Sequence, residues 1–190
     1  MNNRLDKNKI LDIATEMVDE QGAKELTIKN LADRVCIKSP SVYKHFPGGI
    51  DEINIELMLH GWKLMEAVLI DAAVGKAKDE AVISMCQAYR GFAREHKGLY
   101  EVMQWYNMFQ SERHLKATEG VINVMMKVLD GYGLDTGQKV HIIRMVRSFL
   151  HGFASLESHS GYGSKFSVDD TFEFALTTII HGISDIKKKG

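Results

Sequence analysis

The sequence is poor in proline. Only two prolines, Pro40 and Pro47, occur in 190 residues, and they lie close together. Proline averages about 5% of residues in globular proteins, so a chain of this length would ordinarily carry several more. Because proline breaks the interior of a helix, its scarcity permits long helices over most of the chain. The 16 glycines are then expected to mark most of the helix ends.

Cysteine is also scarce, and export or membrane signals are lacking. The two cysteines, Cys36 and Cys86, lie far apart without metal-finger spacing, which excludes a disulfide framework. No apolar run follows the charged N-terminus, and no stretch reaches the roughly 20 apolar residues that span a bilayer. We therefore expect a cytoplasmic protein in a reducing compartment, without a membrane partner.

Charge and motif content narrow the function further. The formal net charge is −1, which excludes a uniformly basic nucleic-acid coat but permits a local basic patch. The sequence has no P-loop, no G-x-S-x-G motif and no H-E-x-x-H motif, and its histidines lack ligand spacing with carboxylates. We therefore expect no enzymatic activity, no metal site and no cofactor.

Apolar residues recur at helical spacing along nearly the whole chain. The first such segment runs from Ile10 to Val18, and Gly22 follows as its expected C-terminal cap. The spacing returns from Ile50 onward and is interrupted mainly by glycine-containing loops. No stretch alternates convincingly with period two. The sequence predicts an all-α fold of about nine helices.

Residues 27–46 have the pattern of a helix-turn-helix. Thr27 can cap a short second helix through its hydroxyl group. A four-residue break follows at 35–38, and Ser39 is expected to cap a third helix with Pro40 at its first position. Two short helices joined in this way form the helix-turn-helix motif, whose second helix can enter the major groove of DNA.

The charge around this motif is asymmetric. Residues 24–47 carry five lysines and arginines against two acids, a local charge of +3. Between the prolines lie Ser41, Tyr43, Lys44 and His45, whose side chains can hydrogen-bond to phosphates or base edges. A solvated polar helix face is the simpler interpretation of so short a segment. Capping, turn length and local charge together favour a DNA-binding surface.

Two segments carry a family resemblance, Leu26-Thr27-Ile28-Lys29-Asn30-Leu31-Ala32-Asp33 and Ser39-Pro40-Ser41-Val42-Tyr43-Lys44-His45-Phe46. Together they resemble the TetR family of bacterial transcription regulators, over about residues 8–50. The resemblance implies an all-α homodimer with a three-helix DNA-binding domain at 1–49 and a six-helix regulatory and dimerisation domain at 50–190. It also implies a sequence-specific regulator, expected to be a repressor, that a small-molecule effector releases from a palindromic operator.

The same resemblance implies which residues contact DNA. Phosphate contacts are expected from Thr27, Tyr43 and His45. Base contacts are expected from Lys38, Ser39, Ser41 and Lys44. The implied partners are double-stranded operator DNA, a second copy of the chain and an unidentified small molecule.

Two positions depart from the family pattern. Cys36 stands in the turn where the family usually has glycine, and a left-handed backbone there would cost a non-glycine residue roughly 1 kcal/mol. A tolerated turn residue is the simpler interpretation, with a redox role as the alternative. The family often begins its fourth helix with a phosphate-binding lysine, whereas this chain has Gly48-Gly49-Ile50-Asp51-Glu52. One phosphate contact is therefore expected to be missing, and the hinge to be loose.

The C-terminal half contains two glycines inside expected helices. Gly152 lies in the segment Phe149-Leu150-His151-Gly152-Phe153-Ala154-Ser155-Leu156-Glu157, which looks like the signature of a TetR regulatory-domain subgroup, and Gly182 lies in the last helix. Glycine inside a helix costs roughly 1 kcal/mol against alanine, which suggests close helix approach. A dimer interface and a packing notch within the chain explain it equally well, and the family resemblance favours the dimer interface.

An effector pocket is expected among aromatic and methionine side chains. Its expected lining is Trp62, Tyr89, Phe92, Met103, Trp105, Tyr106, Phe109, Met125 and Phe149. Plain core packing is the alternative for such a set of residues. For the whole chain, the alternative function is a helical module that binds a ligand or a protein without binding DNA.

Overall fold

The computed structural model describes residues 6–105, 112–163 and 165–186. Within these ranges the chain forms nine α-helices and one short 3-10 helix, and none of these residues lies in a β-strand. The helices are α1 (Lys7–Gln21), α2 (Ile28–Val35), α3 (Ser39–His45), α4 (Gly49–Ala73), α5 (Lys78–Glu95), α6 (Lys97–Trp105), α7 (Glu112–Asp130), α8 (Thr136–Ser158) and α9 (Val168–Ile186). The all-α prediction is confirmed. None of the described helices is both long enough and apolar enough to cross a membrane.

Local sequence signals explain how the first two helices begin and end. Gly22 ends α1 with φ at +89°, a conformation that favours glycine. Thr27 caps α2 as predicted, because its hydroxyl oxygen accepts a hydrogen bond from the backbone N–H of Asn30 at 3.1 Å. Cys36 ends α2 in the left-handed region, with φ at +60° and ψ at +41°. The turn therefore has the backbone conformation that usually calls for glycine.

The start of α3 corrects the prediction by one residue. Lys38, and not Ser39, is the N-cap, with an extended backbone at φ −81° and ψ 144°. Its carbonyl oxygen accepts the N–H of Ser41 at 2.8 Å, so the first turn closes without a side-chain cap. Ser39 is the first helical residue and Pro40 the second. Pro40 still costs little there, because the first N–H groups of a helix have no partner within it.

The chain divides into two compact units. The first comprises Met1–Leu64 with Glu95–Ala117, and the second comprises Met65–Arg94 with Thr118–Gly190. The first unit thus contains α6 in addition to the helices of the expected DNA-binding domain. The expected boundary between residues 49 and 50 separates a DNA-binding part from a regulatory part. The compact units do not test a division by function, so this boundary stays a prediction.

In the first unit, α1 packs directly against α6. A Cβ atom on Gly98 of α6 would overlap the carbonyl group of Val18, so this approach requires glycine. Asp19 accepts a hydrogen bond from the N–H of Leu99 at 2.9 Å and pairs with Nδ1 of His96 at 2.7 Å. The carboxylate of Asp19 therefore satisfies a free N–H at the positive end of α6 and fixes α1 on that helix.

In the second unit, a buried cation joins three helices. Arg90 of α5 has a 9% exposed side chain and donates to the two carboxylate oxygens of Glu157 in α8, at 3.0 and 2.6 Å. It also donates to Asp169 of α9 at 2.7 Å. Its guanidinium lies 5.1 Å from the ring centre of Phe153 and 4.6 Å from that of Phe172. The hydrogen bond to Glu157 raises the pKa of Arg90 and offsets the opposing effect of burial.

Replacing Arg90 with leucine is expected to lower the free energy of unfolding by about 3 kcal/mol, because the substitution leaves the largely buried carboxylate of Glu157 without this partner. Urea unfolding followed by circular dichroism measures the change. Arg94→Leu is the matched control, since the Arg94 side chain is 56% exposed and lies 3.6 Å from Asp169. The control should change stability by less than about 0.5 kcal/mol. Equal losses of stability in the two variants would show that Arg90 does not hold the three helices together.

Candidate DNA-binding surface

One side of α3 is buried within the first unit. Val42 in this helix and Phe46 at its C-terminal cap are fully buried, as are Leu31 of α2 and Ile10 of α1. Helix α2 packs against both α1 and α3. The burial of these apolar side chains fixes the rotation of α3 about its own axis, because turning the helix would expose them to water. The polar side chains of α3 are therefore held in a defined direction.

The seven predicted contact residues lie on or next to the helix-turn-helix surface and differ in exposure. Thr27, Lys38, Tyr43 and Lys44 are exposed, whereas Ser39, Ser41 and His45 are half-buried. The side chain of Tyr43 is unusually open for a large aromatic residue, at 49% exposure. Within the described part of the chain, neither Lys38 nor Lys44 pairs with an acid. Their charges thus remain available to an anionic partner.

The local positive charge is smaller than the sequence count implies. Arg34 of α2 donates two hydrogen bonds to the carboxylate of Glu20, at 3.0 and 2.9 Å. Its charge is therefore largely compensated by an acid outside the counted segment. The uncompensated positive charge of the helix-turn-helix rests on lysines rather than on Arg34.

The turn between α3 and α4 is held by two hydrogen bonds, although two glycines form it. The N–H of Gly49 donates to the carbonyl oxygen of Phe46 at 2.9 Å, and the N–H of Gly48 donates to a carboxylate oxygen of Glu52 at 2.9 Å. Gly49 has φ at +66°, and a Cβ there would lie 3.2 Å from Cε1 of Tyr43. The ring of Tyr43 thus rests on this glycine. The turn therefore has defined contacts, and the expected looseness of the hinge stays a prediction.

A cluster of four charged residues continues from this turn. Lys7 of α1 lies 3.0 Å from Glu52 and 3.2 Å from Glu56, and its ammonium group is 4.9 Å from the ring centre of Phe46. Arg113 of α7 donates two hydrogen bonds to Glu56, each 2.9 Å long. The pKa of Glu52 is lowered, first by the hydrogen bond from Gly48 and then by Lys7. Burial raises the pKa of Glu56, but hydrogen bonds from Arg113 and Lys7 lower it overall.

Sequence reasoning missed the role of Glu52 and Lys7. The family pattern indicates only a lost phosphate contact after Pro47, because the family often has a lysine at the start of this helix. The four-residue spacing of Gly48 and Glu52 at a helix start was the available signal, since an acid there can accept an unsatisfied N–H. Lys7 lies 45 residues from Glu52, and no local pattern predicts that contact.

The predicted effector-pocket residues are divided between the two compact units. Trp62 and Met103 belong to the first unit, and both are buried. The second unit contains Tyr89, Phe92 and Met125, which are buried, and Phe149, which is half-buried. Phe149 packs on Phe153 and Phe172, with ring centres 5.7 and 5.6 Å apart. The Trp105 side chain, Tyr106 and Phe109 lie outside the described residues. The pocket stays a prediction.

The two helical glycines of the C-terminal half lie against open space. A Cβ on Gly152 or Gly182 would have no described atom within 4 Å. Large apolar side chains are exposed at helical spacing from these glycines: Met145 at 44% and Leu156 at 50% on α8, and Phe174 at 76% on α9. A packing notch within the chain therefore has no neighbour among the described residues that would fill it.

An all-α chain with a capped helix-turn-helix near its N-terminus and free lysines on that motif defines a DNA-binding transcription regulator. Residues 82–179 match the family model described as Tetracyclin repressor-like, C-terminal domain. The chain is 30% identical over 155 residues to the uncharacterised HTH-type transcriptional regulator Rv0681 of Mycobacterium tuberculosis, covering 81% of this chain and 71% of that protein. The chain belongs to the TetR family of transcription regulators.

Another relative and the solved structures extend the likeness over nearly the whole chain. The uncharacterised HTH-type transcriptional regulator YobS of Bacillus subtilis is 25% identical over 181 residues, 94% of this chain and 93% of its own. A Rhodococcus protein of unknown function has a TM-score of 0.80 at 18% identity, covering 96% of this chain and 98% of that chain. ActR from Streptomyces coelicolor, in complex with actinorhodin, has a TM-score of 0.67 at 18% identity, covering 95% and 97%. The structural likenesses establish the fold.

Replacing Cys36 with glycine is expected to raise the free energy of unfolding by about 1 kcal/mol, because its left-handed backbone strains a residue that carries a Cβ. Thermal and urea unfolding measure the change. Cys36→Ser is the control, since it removes the thiol and keeps the Cβ, and it should leave stability unchanged. Equal stabilisation by serine would assign the effect to the thiol rather than to the backbone.

Proposed function

We propose that the protein is a repressor that binds a palindromic operator as a homodimer and is released by a small-molecule effector. The single observation that carries the proposal is the two-sided character of α3. Its apolar residue Val42 is fully buried, while Tyr43 and Lys44, next to it in sequence, are exposed. A helix fixed in this way can present polar side chains to the major groove without losing its own packing.

The proposed DNA contacts divide into two kinds. Thr27, Tyr43 and His45 bind phosphates, and Lys38, Ser39, Ser41 and Lys44 face base edges. Phosphate contacts position the helix, and base contacts discriminate between sequences. The free ammonium groups of Lys38 and Lys44 support this assignment. The half-buried Ser39, Ser41 and His45 need close approach of the DNA before they reach it.

The proposed homodimer uses α8 and α9. These helices pack together and expose Met145, Leu156 and Phe174 near two glycines that no part of the described chain covers. A two-fold interface presents the same patch from both copies, and glycines permit their helices to approach closely. Two copies place two α3 helices on successive turns of DNA, which is why the expected operator is palindromic.

Release by a small molecule requires that the effector bind one conformation of the dimer more tightly than the other. The support is the complex of ActR with actinorhodin, a protein of the same fold holding a small molecule. The predicted aromatic and methionine lining remains the candidate contact set for such an effector. The proposed regulator acts without catalysis, in the cytoplasm where operator DNA is found.

Tyr43→Ala and Lys44→Ala are each expected to weaken binding about tenfold or more. The first removes a proposed phosphate contact, and the second removes a proposed base contact together with a positive charge. The probe is a duplex recovered by selection from a random library, and gel shift gives the affinity. Lys44→Ala should also flatten the decline of affinity with rising salt. Lys127→Ala on α7, an exposed lysine of the second unit, is the control.

Retained affinity in both α3 variants would place the contact surface elsewhere. Absence of duplex binding by the unaltered protein, even at low ionic strength, would contradict the repressor proposal. That result would favour the alternative of a helical module that binds a ligand or protein without DNA.

Gly152→Leu is expected to convert the dimer to monomer, because a bulky side chain would separate two closely approaching helices. Light scattering measures the mass. Gly91→Leu is the matched control, since Gly91 also lies inside a helix and a Cβ there would also have no neighbour within 4 Å, but Gly91 lies on α5. If Gly152→Leu remains a dimer, α8 is not part of the dimer interface at this residue.

A further inference from the structure

The position of Tyr43 depends on the turn that follows α3. Its side chain is half exposed, so it is not fixed by burial as Val42 is. The ring instead rests on Gly49, where a Cβ would lie 3.2 Å from Cε1 and 3.9 Å from the hydroxyl oxygen. The ring thus lies close to the backbone of the turn. Any shift of that turn moves the support of Tyr43.

Glu52 holds this turn from the first turns of α4. One of its carboxylate oxygens accepts the N–H of Gly48 at 2.9 Å, and the other lies 3.0 Å from the ammonium group of Lys7. The acid is therefore fixed at both oxygens. Because Lys7 also lies over the ring of the fully buried Phe46, the turn is tied to the apolar side of α3 as well.

We propose that Glu52 is a positioning residue for DNA binding, which holds the Gly48-Gly49 turn so that the Tyr43 ring is directed at the DNA backbone. This inference rests on the proposed phosphate contact of Tyr43. According to this proposal, the negatively charged Glu52 strengthens binding to DNA, although DNA is itself a polyanion. Glu52 acts through the turn and through Tyr43, and does not touch DNA itself.

The neighbouring acid provides a direct comparison. Asp51 is exposed in the same turn of α4 and has the same charge, and its carboxylate makes no hydrogen bond or ion pair among the described residues. Repulsion of phosphates alone predicts that removing either acid strengthens DNA binding. The positioning role predicts the opposite sign for Glu52. The two explanations are therefore separated by the direction of the change.

The experiment compares Glu52→Ala with Asp51→Ala by fluorescence anisotropy on a mixed-sequence duplex at low ionic strength, since a phosphate contact does not depend on sequence. Asp51→Ala should bind as tightly as the unaltered protein or more tightly. Glu52→Ala should bind about fivefold more weakly, the effect of losing roughly one net hydrogen bond. Glu52→Gln should recover part of that loss, because its amide oxygen can still accept the N–H of Gly48. Thermal unfolding confirms that each variant is folded.

A double-mutant cycle with Tyr43→Ala tests whether Glu52 acts through Tyr43. In the Tyr43→Ala background, Glu52→Ala should cause no further loss of affinity. The signal of fluorotyrosine at position 43, followed by fluorine NMR in the free protein, should shift in Glu52→Ala and stay in place in Asp51→Ala. This readout reports the surroundings of the ring directly and separates positioning from a general loss of stability.

Three results would overturn the inference. Equal affinities of Glu52→Ala and Asp51→Ala, with Tyr43→Ala weakened, would reject positioning by Glu52 and leave the proposed DNA contact in place. An undiminished effect of Glu52→Ala in the Tyr43→Ala background would show that Glu52 acts by another route. Full affinity in Tyr43→Ala alone would reject the phosphate contact itself, and the positioning role with it.

Discussion

The contact of α1 with α6 is the constraint on which the first unit depends. Gly98 lies so close to the carbonyl group of Val18 that no side chain fits between them, and Asp19 completes the contact by binding the start of α6. At the other end of α1, Lys7 binds two acids of α4. Helix α1 is thus fixed at both ends by charged contacts. A displacement of α4 or α6 must move α1 or break one of these contacts.

The electrostatics of the helix-turn-helix follow from which charges are paired. Arg34 is bound to Glu20, while Lys38 and Lys44 have no acid among the described residues. Glu52 lies near the turn after α3 but is bound by Lys7 and by a backbone N–H, which compensates its charge. The motif can therefore present positive charge to DNA although the whole chain is slightly acidic. Pairing, and not the number of basic residues, sets the local field.

Apolar spacing and helix-capping residues are sufficient to predict the helices. These local patterns do not predict contacts between residues that are distant in sequence. Thr27 was identified as a cap because a hydroxyl group before an apolar run binds an N–H three residues on. The same rule failed by one residue at Ser39, where a backbone carbonyl closes the turn instead. The bond from Leu99 to Asp19 joins residues 80 apart, and only the packed structure brings them together. Local spacing places polar residues on α3 and the family resemblance assigns them to DNA, whereas neither indicates the distant contacts that hold the turn after α3.

The helical glycines differ in what surrounds them, and the difference bears on assembly. Gly98 gains close packing within the chain, which offsets its cost in a helix. Gly152 and Gly182 have no such close packing within the described chain. The lack of a close neighbour does not by itself mark an interface, because Gly91 lacks one as well. Gly91 has charged or polar exposed neighbours, whereas Phe174 lies on the exposed side of the helix that contains Gly182. Exposed aromatic surface is costly in water, and the proposed interface with a second copy of the chain would cover it.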